Sequence, residues 1–192
     1  MVPIDATPQQ QVVSAVAECG MAQDSFSVDI DGGGDIYVFV RSPDLSDTSL
    51  RCLSASERRK PYPIVLFETE SITRRYQRFQ NALARQESRE WLRDHGKLAG
   101  IPEFNPNAES LDQFARKLEG FCGFQLGVVL KVVSPTLLST QGTWNEETLA
   151  GRRSPGDEQR FECLLNAIWA SNLGEHKIGF GFIGNEAVTP KP

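Results

Sequence analysis

The chain has 192 residues, of which 40% are hydrophobic, and its formal net charge is −5. This length suits one ordinary domain or two small ones that pack closely. A mildly acidic chain lacks the basic surface typical of nucleic-acid-binding proteins, so no nucleic-acid partner is expected. No apolar run approaches the ~18 residues that a membrane span requires, so no transmembrane segment is expected.

The first elements alternate helix and strand. Thr7 and Pro8 predict the N-cap and the first residue of a helix. The run FSVDIDGGGDIYVFV at 26–40 alternates apolar and polar residues on both sides of its glycines, which predicts a strand, a turn and a strand. Ser46 is placed to cap a second helix, and residues 62–68 (YPIVLFE) predict a buried strand.

The C-terminal part contains a similar succession of signals. The sequence SLDQ at 110–113 resembles a capping box, which predicts that a helix starts there. Residues 124–133 (FQLGVVLKVV) predict a strand, and Ser-Pro at 154–155 predicts the start of another helix. Residues 177–184 (KIGFGFIG) predict a closing strand.

Both ends therefore have the same order: a helix ending in Cys-Gly, a strand, a helix with an early cysteine, and a strand. The short sequences around the second cysteines are also similar, LRCL at 50–53 and FECL at 161–164. We expect an α+β fold of two similar helix–strand–helix–strand lobes, an internal pseudo-repeat joined by a long amphipathic helix. The expected boundaries are 1–70 for the first lobe, 71–107 for the connecting helix and a proline-containing linker, and 108–192 for the second lobe.

The chain has four cysteines, which helical geometry divides into two kinds. Cys19 and Cys122 fall within the apolar faces of their helices, whereas Cys52 and Cys163 fall on the flanks, where a neighbouring helix would lie. We therefore expect the disulfides Cys19–Cys52 and Cys122–Cys163, and with them a periplasmic or secreted protein. The alternative is four small buried side chains in a cytoplasmic protein. No leader is visible, so export implies a leader that is absent from this sequence.

Two glycine-rich motifs resemble ligand sites, but their context does not fit. GFGFIG at 179–184 matches the dinucleotide pattern, yet only eight residues follow it, too few for the required helix. DIDGGGD at 29–35 resembles a calcium loop, but Val40 stands where an EF-hand has its glutamate, and a hairpin turn explains the glycines. The sequence therefore predicts neither a cofactor nor a metal site.

The most distinctive surface is predicted between the lobes. On an ideal helix, six arginines fall within an arc of about 100°: Arg74, Arg75, Arg78, Arg85, Arg89 and Arg93. After residue 86, acidic residues fall where the apolar face should continue, which predicts that the helix bends or ends there. The arginines either pair with acidic residues of the same chain or form a docking surface for an anionic protein or small molecule.

Two classes of function fit these observations. The first is a non-catalytic exported binding protein, inhibitor-like or immunity-like, that uses the arginine-rich helix or a groove between the lobes. The alternative is a small cytoplasmic hydrolase in which Cys52 or Cys163 acts with one of the two histidines, His95 and His176. No convergent catalytic set is visible, and no catalytic residue is predicted for the binding protein.

Overall fold

The computed structural model describes residues 6–142, 144, 151 and 154–181. The fold is α+β, as expected, and the described strands form two three-stranded sheets. The chain divides into two compact units, Met1–Leu83 and Ala84–Pro192, so the boundary falls within a long helix. None of the helices that the structure describes combines the length and the apolar character needed to cross a membrane.

The first unit contains five elements before the long helix. They are α1 (Pro8–Glu18), β1 (Phe26–Ile30), β2 (Ile36–Val40), α2 (Asp47–Ser56) and β3 (Ile64–Phe67). β2 is the central strand, because it pairs antiparallel with β1 and parallel with β3. The predicted hairpin is therefore confirmed, and α2 makes the crossover that parallel pairing requires.

The helix ends follow the sequence signals. The Thr7 side chain and Gln10 form a capping box at the start of α1, and the Ser46 hydroxyl accepts the Ser49 N–H at the start of α2. Cys19 is the C-cap of α1, and Gly20 follows it with φ of 79°. Glycine adopts this left-handed conformation without a Cβ penalty, so Cys-Gly ends the helix.

One face of the first sheet is buried, and the other is open. Val38 and Val40 of β2 lie in the same core as Val16 and Leu50 from the two helices. The prediction of a buried strand at 62–68 was wrong in this respect, because Ile64 and Leu66 are 40% and 41% exposed. β3 thus alternates between the two faces, since Val65 between them is buried.

The long helix α3 spans Glu70–Asp94. An end of the helix after residue 86, one of the two predicted alternatives, was wrong, because helical structure continues for two further turns. Ser88 and Leu92 are buried in that stretch, and Trp91 is half-buried. These three side chains continue the inward-facing side of the helix beyond residue 86. The acidic residues in the same stretch hid this pattern in the sequence.

After a short 3₁₀ helix at Leu98–Gly100, the described ranges of the second unit continue with further helices and strands. They are α4 (Leu111–Phe121), β4 (Leu130–Ser134), β5 (Leu137–Thr140), α5 (Pro155–Ala170) and β6 (Gly179–Gly181), with a 3₁₀ helix at Leu173–His176 between the last two. β5 pairs antiparallel with β4 and parallel with β6. The strand order and directions are thus the same as in the first unit.

The strand predicted at 124–133 was only partly right. β4 begins at Leu130, because a turn with Gly127 at φ of 78° precedes it. β5 was missed: its residues are followed by a long polar stretch, and only the pairing with β4 and β6 identifies them as a strand. The closing strand is present at Gly179–Gly181, and the predicted residues 182–184 lie outside the described part of the chain.

Each unit contains one disulfide, and both pairings agree with the prediction. The sulfur atoms of Cys19 and Cys52 are 2.02 Å apart, and those of Cys122 and Cys163 are 2.08 Å apart. One bond joins the C-cap of α1 to α2, and the other joins the C-cap of α4 to α5. Cys122 and Cys163 are buried, whereas Cys52 is half-exposed.

Candidate arginine site on α2 and α3

The six arginines predicted on α3 differ in their surroundings. Three of them bind acidic groups of the same chain: Arg74 pairs with Glu70 at 3.7 Å, Arg75 with Asp47 at 2.5 Å, and Arg85 with Glu175 at 2.7 Å. Arg78, Arg89 and Arg93 are exposed, and within the described ranges no direct hydrogen bond or ion pair engages them. Three of the six predicted arginines therefore pair with acidic residues of the same chain.

Arg75 is the most firmly held of these side chains. Its Nη2 atom donates both to the Leu45 carbonyl oxygen, at 3.0 Å, and to the Asp47 carboxylate. These contacts tie α3 to the start of α2. Arg75 therefore has a structural role in addition to its charge.

Further guanidinium groups lie close to Asp47. The hydrogen bond from Arg75 is the main cause that lowers the pKa of Asp47, and the positive charges of Arg75, Arg51 and Arg78 lower it further. One carboxylate is thus under the electrostatic influence of three cations, of which Arg75 is in direct contact with it. We call Arg51, Arg75 and Arg78 the arginine cluster.

An aromatic ring adjoins this cluster. The Arg51 guanidinium lies 5.1 Å from the centre of the Phe79 ring, within the range of a cation–π contact. The ring supports the planar guanidinium and leaves its N–H groups free to bind oxygen atoms. Arginine forks bind carboxylate or phosphate oxygens bidentately, so the cluster has the chemistry of an anion-binding surface.

Arg51 was not among the predicted binding residues, although a local signal could have identified it. Asp47 and Arg51 are four residues apart in a capped helix, and such residues are neighbours on a helix surface. Their proximity to Arg75 and Arg78, however, depends on the packing of α2 against α3. That packing was not visible in the sequence.

Glu57 and Tyr76 form a second polar group in the first unit. Glu57 accepts the Val65 N–H at 2.7 Å and a hydrogen bond from the Gln80 amide, which also donates to the Tyr76 hydroxyl oxygen at 2.9 Å. Burial raises the pKa of Glu57, and burial beside this carboxylate raises the pKa of Tyr76. Glu57 therefore accepts a backbone N–H of the edge strand β3, which would otherwise lack a partner within the sheet. A side chain that covers such a donor protects the edge from pairing with another chain.

The two histidines lie in structural contacts rather than beside a nucleophile. The His95 ring stacks on Trp91 at 3.7 Å between centroids, and its Nδ1 atom lies 2.8 Å from the Trp91 carbonyl oxygen. His176 meets the edge of Phe104 at 5.4 Å. All four cysteines are in disulfides, so neither histidine has a thiol partner.

The described residues contain no group of three or more potential metal ligands. In the glycine-rich turn, the Asp31 Oδ1 atom accepts the N–H groups of Gly33 and Asp35, each at 2.9 Å. These hydrogen bonds explain Asp31 as a turn residue. Gly34 in the same turn has a φ of 90°, which accounts for a glycine there.

Comparisons with known proteins give no match. Neither a protein-family model, nor a curated protein, nor a solved structure is similar to this chain. The function therefore has to be argued from the chemistry of the residues themselves.

Proposed function

We propose that this is a non-catalytic binding protein that docks an acidic partner through the arginine cluster. The observation that carries the proposal is the ion pair of Arg75 with Asp47, whose carboxylate is also influenced by the charges of Arg51 and Arg78. An acidic segment of a partner protein would supply further carboxylates to pair with these arginines. Phe79, which is half-buried beneath Arg51, offers an apolar contact next to the charges.

The alternative, a cytoplasmic hydrolase with a Cys/His pair, has less support. A cysteine nucleophile needs a free thiolate, and both Cys52 and Cys163 are bonded to other cysteines. The histidines are engaged with Trp91 and Phe104. These contacts favour the binding protein.

The two disulfides also support a proposed location. Stable disulfides persist in oxidising compartments, so we place the protein in the periplasm or outside the cell. Each unit is small, and a unit of this size gains much of its stability from such a bond.

We further propose that the two units arose by internal duplication. In both, an antiparallel strand pair is followed by a helix and a parallel third strand, with the second strand central. The two disulfides join similar positions, the C-cap of α1 or α4 and the middle of α2 or α5. Comparing the backbones of the two units by superposition tests this: failure of the sheets and disulfides to superimpose together would contradict it.

The docking proposal is tested by retention on immobilised poly-L-glutamate. Arg51→Glu with Arg78→Glu should abolish retention, because both side chains change sign and neither makes a hydrogen bond that holds the fold among the described residues. Arg75 is left unchanged, since it binds Leu45 and Asp47. Retention by the unaltered protein should fall with added salt, as expected for exposed charges.

The matched control is Arg89→Glu with Arg93→Glu, two exposed arginines of the same helix. We expect this variant to be retained like the unaltered protein, and both variants to remain folded at the temperature of the retention assay. Equal loss of retention in both variants would show that α3 acts only through its overall charge. Unchanged retention of the Arg51/Arg78 variant would overturn the proposal.

A further inference from the structure

A groove of about 370 Å³ lies between α1 and α2 in the first unit. Its floor and walls are largely apolar and consist of Val12, Ala15, Val16, Ala55, Pro61 and Pro63, together with the Cys19–Cys52 disulfide. This volume is within the range of about 300–1,000 Å³ found for small-molecule sites, which are also mainly apolar. The groove does not include any residue of the arginine cluster.

The groove exists because the facing helices carry small residues. Ala15 of α1 and Ala55 of α2 line the two walls, where longer side chains would fill the space. The disulfide holds the backbones of Cys19 and Cys52 at a Cα–Cα distance of 5.4 Å. This covalent bond, which is part of the groove lining, therefore fixes the spacing of α1 and α2 at that point.

Two cations are among the residues that line the groove. Arg59 and Lys60 line it and are exposed, and in the part of the chain that the structure describes neither side chain has an acidic partner. Glu18 is the one acidic residue that lines the groove. With two cations and one acidic residue, the charged side chains that line the groove favour an anionic ligand over a cationic one.

The backbone that carries these cations has an unusual conformation. Tyr62 has a φ of 55°, is 57% exposed, and lies between the two prolines of the groove. Non-glycine residues in this region are strained, and such strain is concentrated at functional sites. The Tyr62 N–H donates to the Arg59 carbonyl oxygen at 2.7 Å, so this turn holds Arg59 and Lys60 beside the groove.

From these four features we infer that the groove binds a single-chain amphiphile with an anionic head. The aliphatic chain lies on the apolar floor over the disulfide, and a carboxylate head binds Arg59 and Lys60. Apolar volume alone would accept many ligands, but the positive charges of Arg59 and Lys60 in its lining select the negative head. This ligand site is independent of the docking of an acidic protein by the arginine cluster.

The test uses two probes with the same chain and opposite heads, decanoate and decyltrimethylammonium, each below its micelle concentration. Binding is followed by isothermal titration calorimetry and by ¹H–¹⁵N NMR shifts of the oxidised protein. We expect saturable binding of decanoate with shifts at Val12, Ala15 and Ala55, and binding of the cationic probe weaker by about tenfold. Equal affinity for both probes, or shifts elsewhere only, would overturn the inference.

Variants test the two parts of the site separately. Ala15→Leu with Ala55→Leu fills the groove and should abolish decanoate binding, whereas Ala17→Leu, an exposed position of α1, should leave it unchanged. Arg59→Ser with Lys60→Ser should weaken decanoate binding about three- to tenfold, the range for exposed charge pairs, and should not weaken binding of the cationic probe, because two like charges are removed. Decanoate binding that survives in the filled variant would place the ligand elsewhere and overturn the inference.

Discussion

The buried carboxylate of Glu119 accepts the backbone N–H of Val129 at 2.7 Å. The same carboxylate also accepts the N–H groups of Gly127 and Leu130. One side chain of α4 therefore satisfies three backbone donors at the entry to β4. These hydrogen bonds hold the start of β4 against α4.

Removing that carboxylate should strongly destabilise the second unit. Glu119→Ala leaves three backbone donors without an acceptor, and we expect a loss of about 3–5 kcal/mol in the free energy of unfolding. Glu119→Gln keeps one acceptor oxygen but places a donor amide against backbone N–H groups, so we expect a smaller loss of about 1–3 kcal/mol. Urea denaturation measures both values.

Glu103→Ala is the control for Glu119, because Glu103 is an exposed glutamate of the same unit. It should change the free energy of unfolding by less than about 0.5 kcal/mol. A similar effect at both positions would contradict a special role for Glu119.

The two disulfides should contribute similarly to stability but differ in their access to reductant. The residues they join are 33 and 41 positions apart, so the chain-entropy model gives about 4 kcal/mol for each. Cys52 is half-exposed in the groove, whereas Cys122 and Cys163 are buried. Under limiting dithiothreitol, alkylation and peptide mapping should therefore find Cys19 and Cys52 labelled first, and earlier labelling of the second pair would contradict the prediction.

Asp47 should stabilise the protein at neutral pH more than in acid. Its pKa is lowered in the folded state, chiefly by the Arg75 hydrogen bond, so the folded protein binds fewer protons there than the unfolded chain. The stabilisation is present above the ordinary aspartate pKa of about 3.9 and is lost as the pH falls through the lowered value. Asp47→Asn should reduce that acid-induced loss in urea titrations at pH 2–5, and an unchanged pH profile would contradict it.

Glu57 should have the opposite effect. Burial raises its folded-state pKa, so the folded protein binds more protons than the unfolded chain above the ordinary glutamate pKa of about 4.3. Its contribution to stability therefore falls as the pH rises from that value through the raised pKa. Glu57→Gln should remove this decline while its amide oxygen still accepts the Val65 N–H, and a steeper decline in the variant would show that the sign is wrong.

The local structure of the chain was largely readable from its residues. Thr7, Ser46, Ser110 and Ser154 start helices where their side chains can accept backbone N–H groups, and Gly20 ends one. Such contacts involve residues only a few positions apart, so sequence spacing is enough to predict them. The cysteine pairing followed in the same way from which side of each helix the cysteines occupy.

Contacts between distant segments were not predictable. Nothing in the spacing showed that Arg75 and Arg78 approach Asp47, that Glu119 receives the start of β4, or that Ala15 and Ala55 line one groove. Sequence determined the helices, most of the strands and the sulfur pairing, because these depend on local periodicity and caps. Only tertiary packing decided which charges meet and which apolar surfaces stay open, because both depend on how separate elements approach in space.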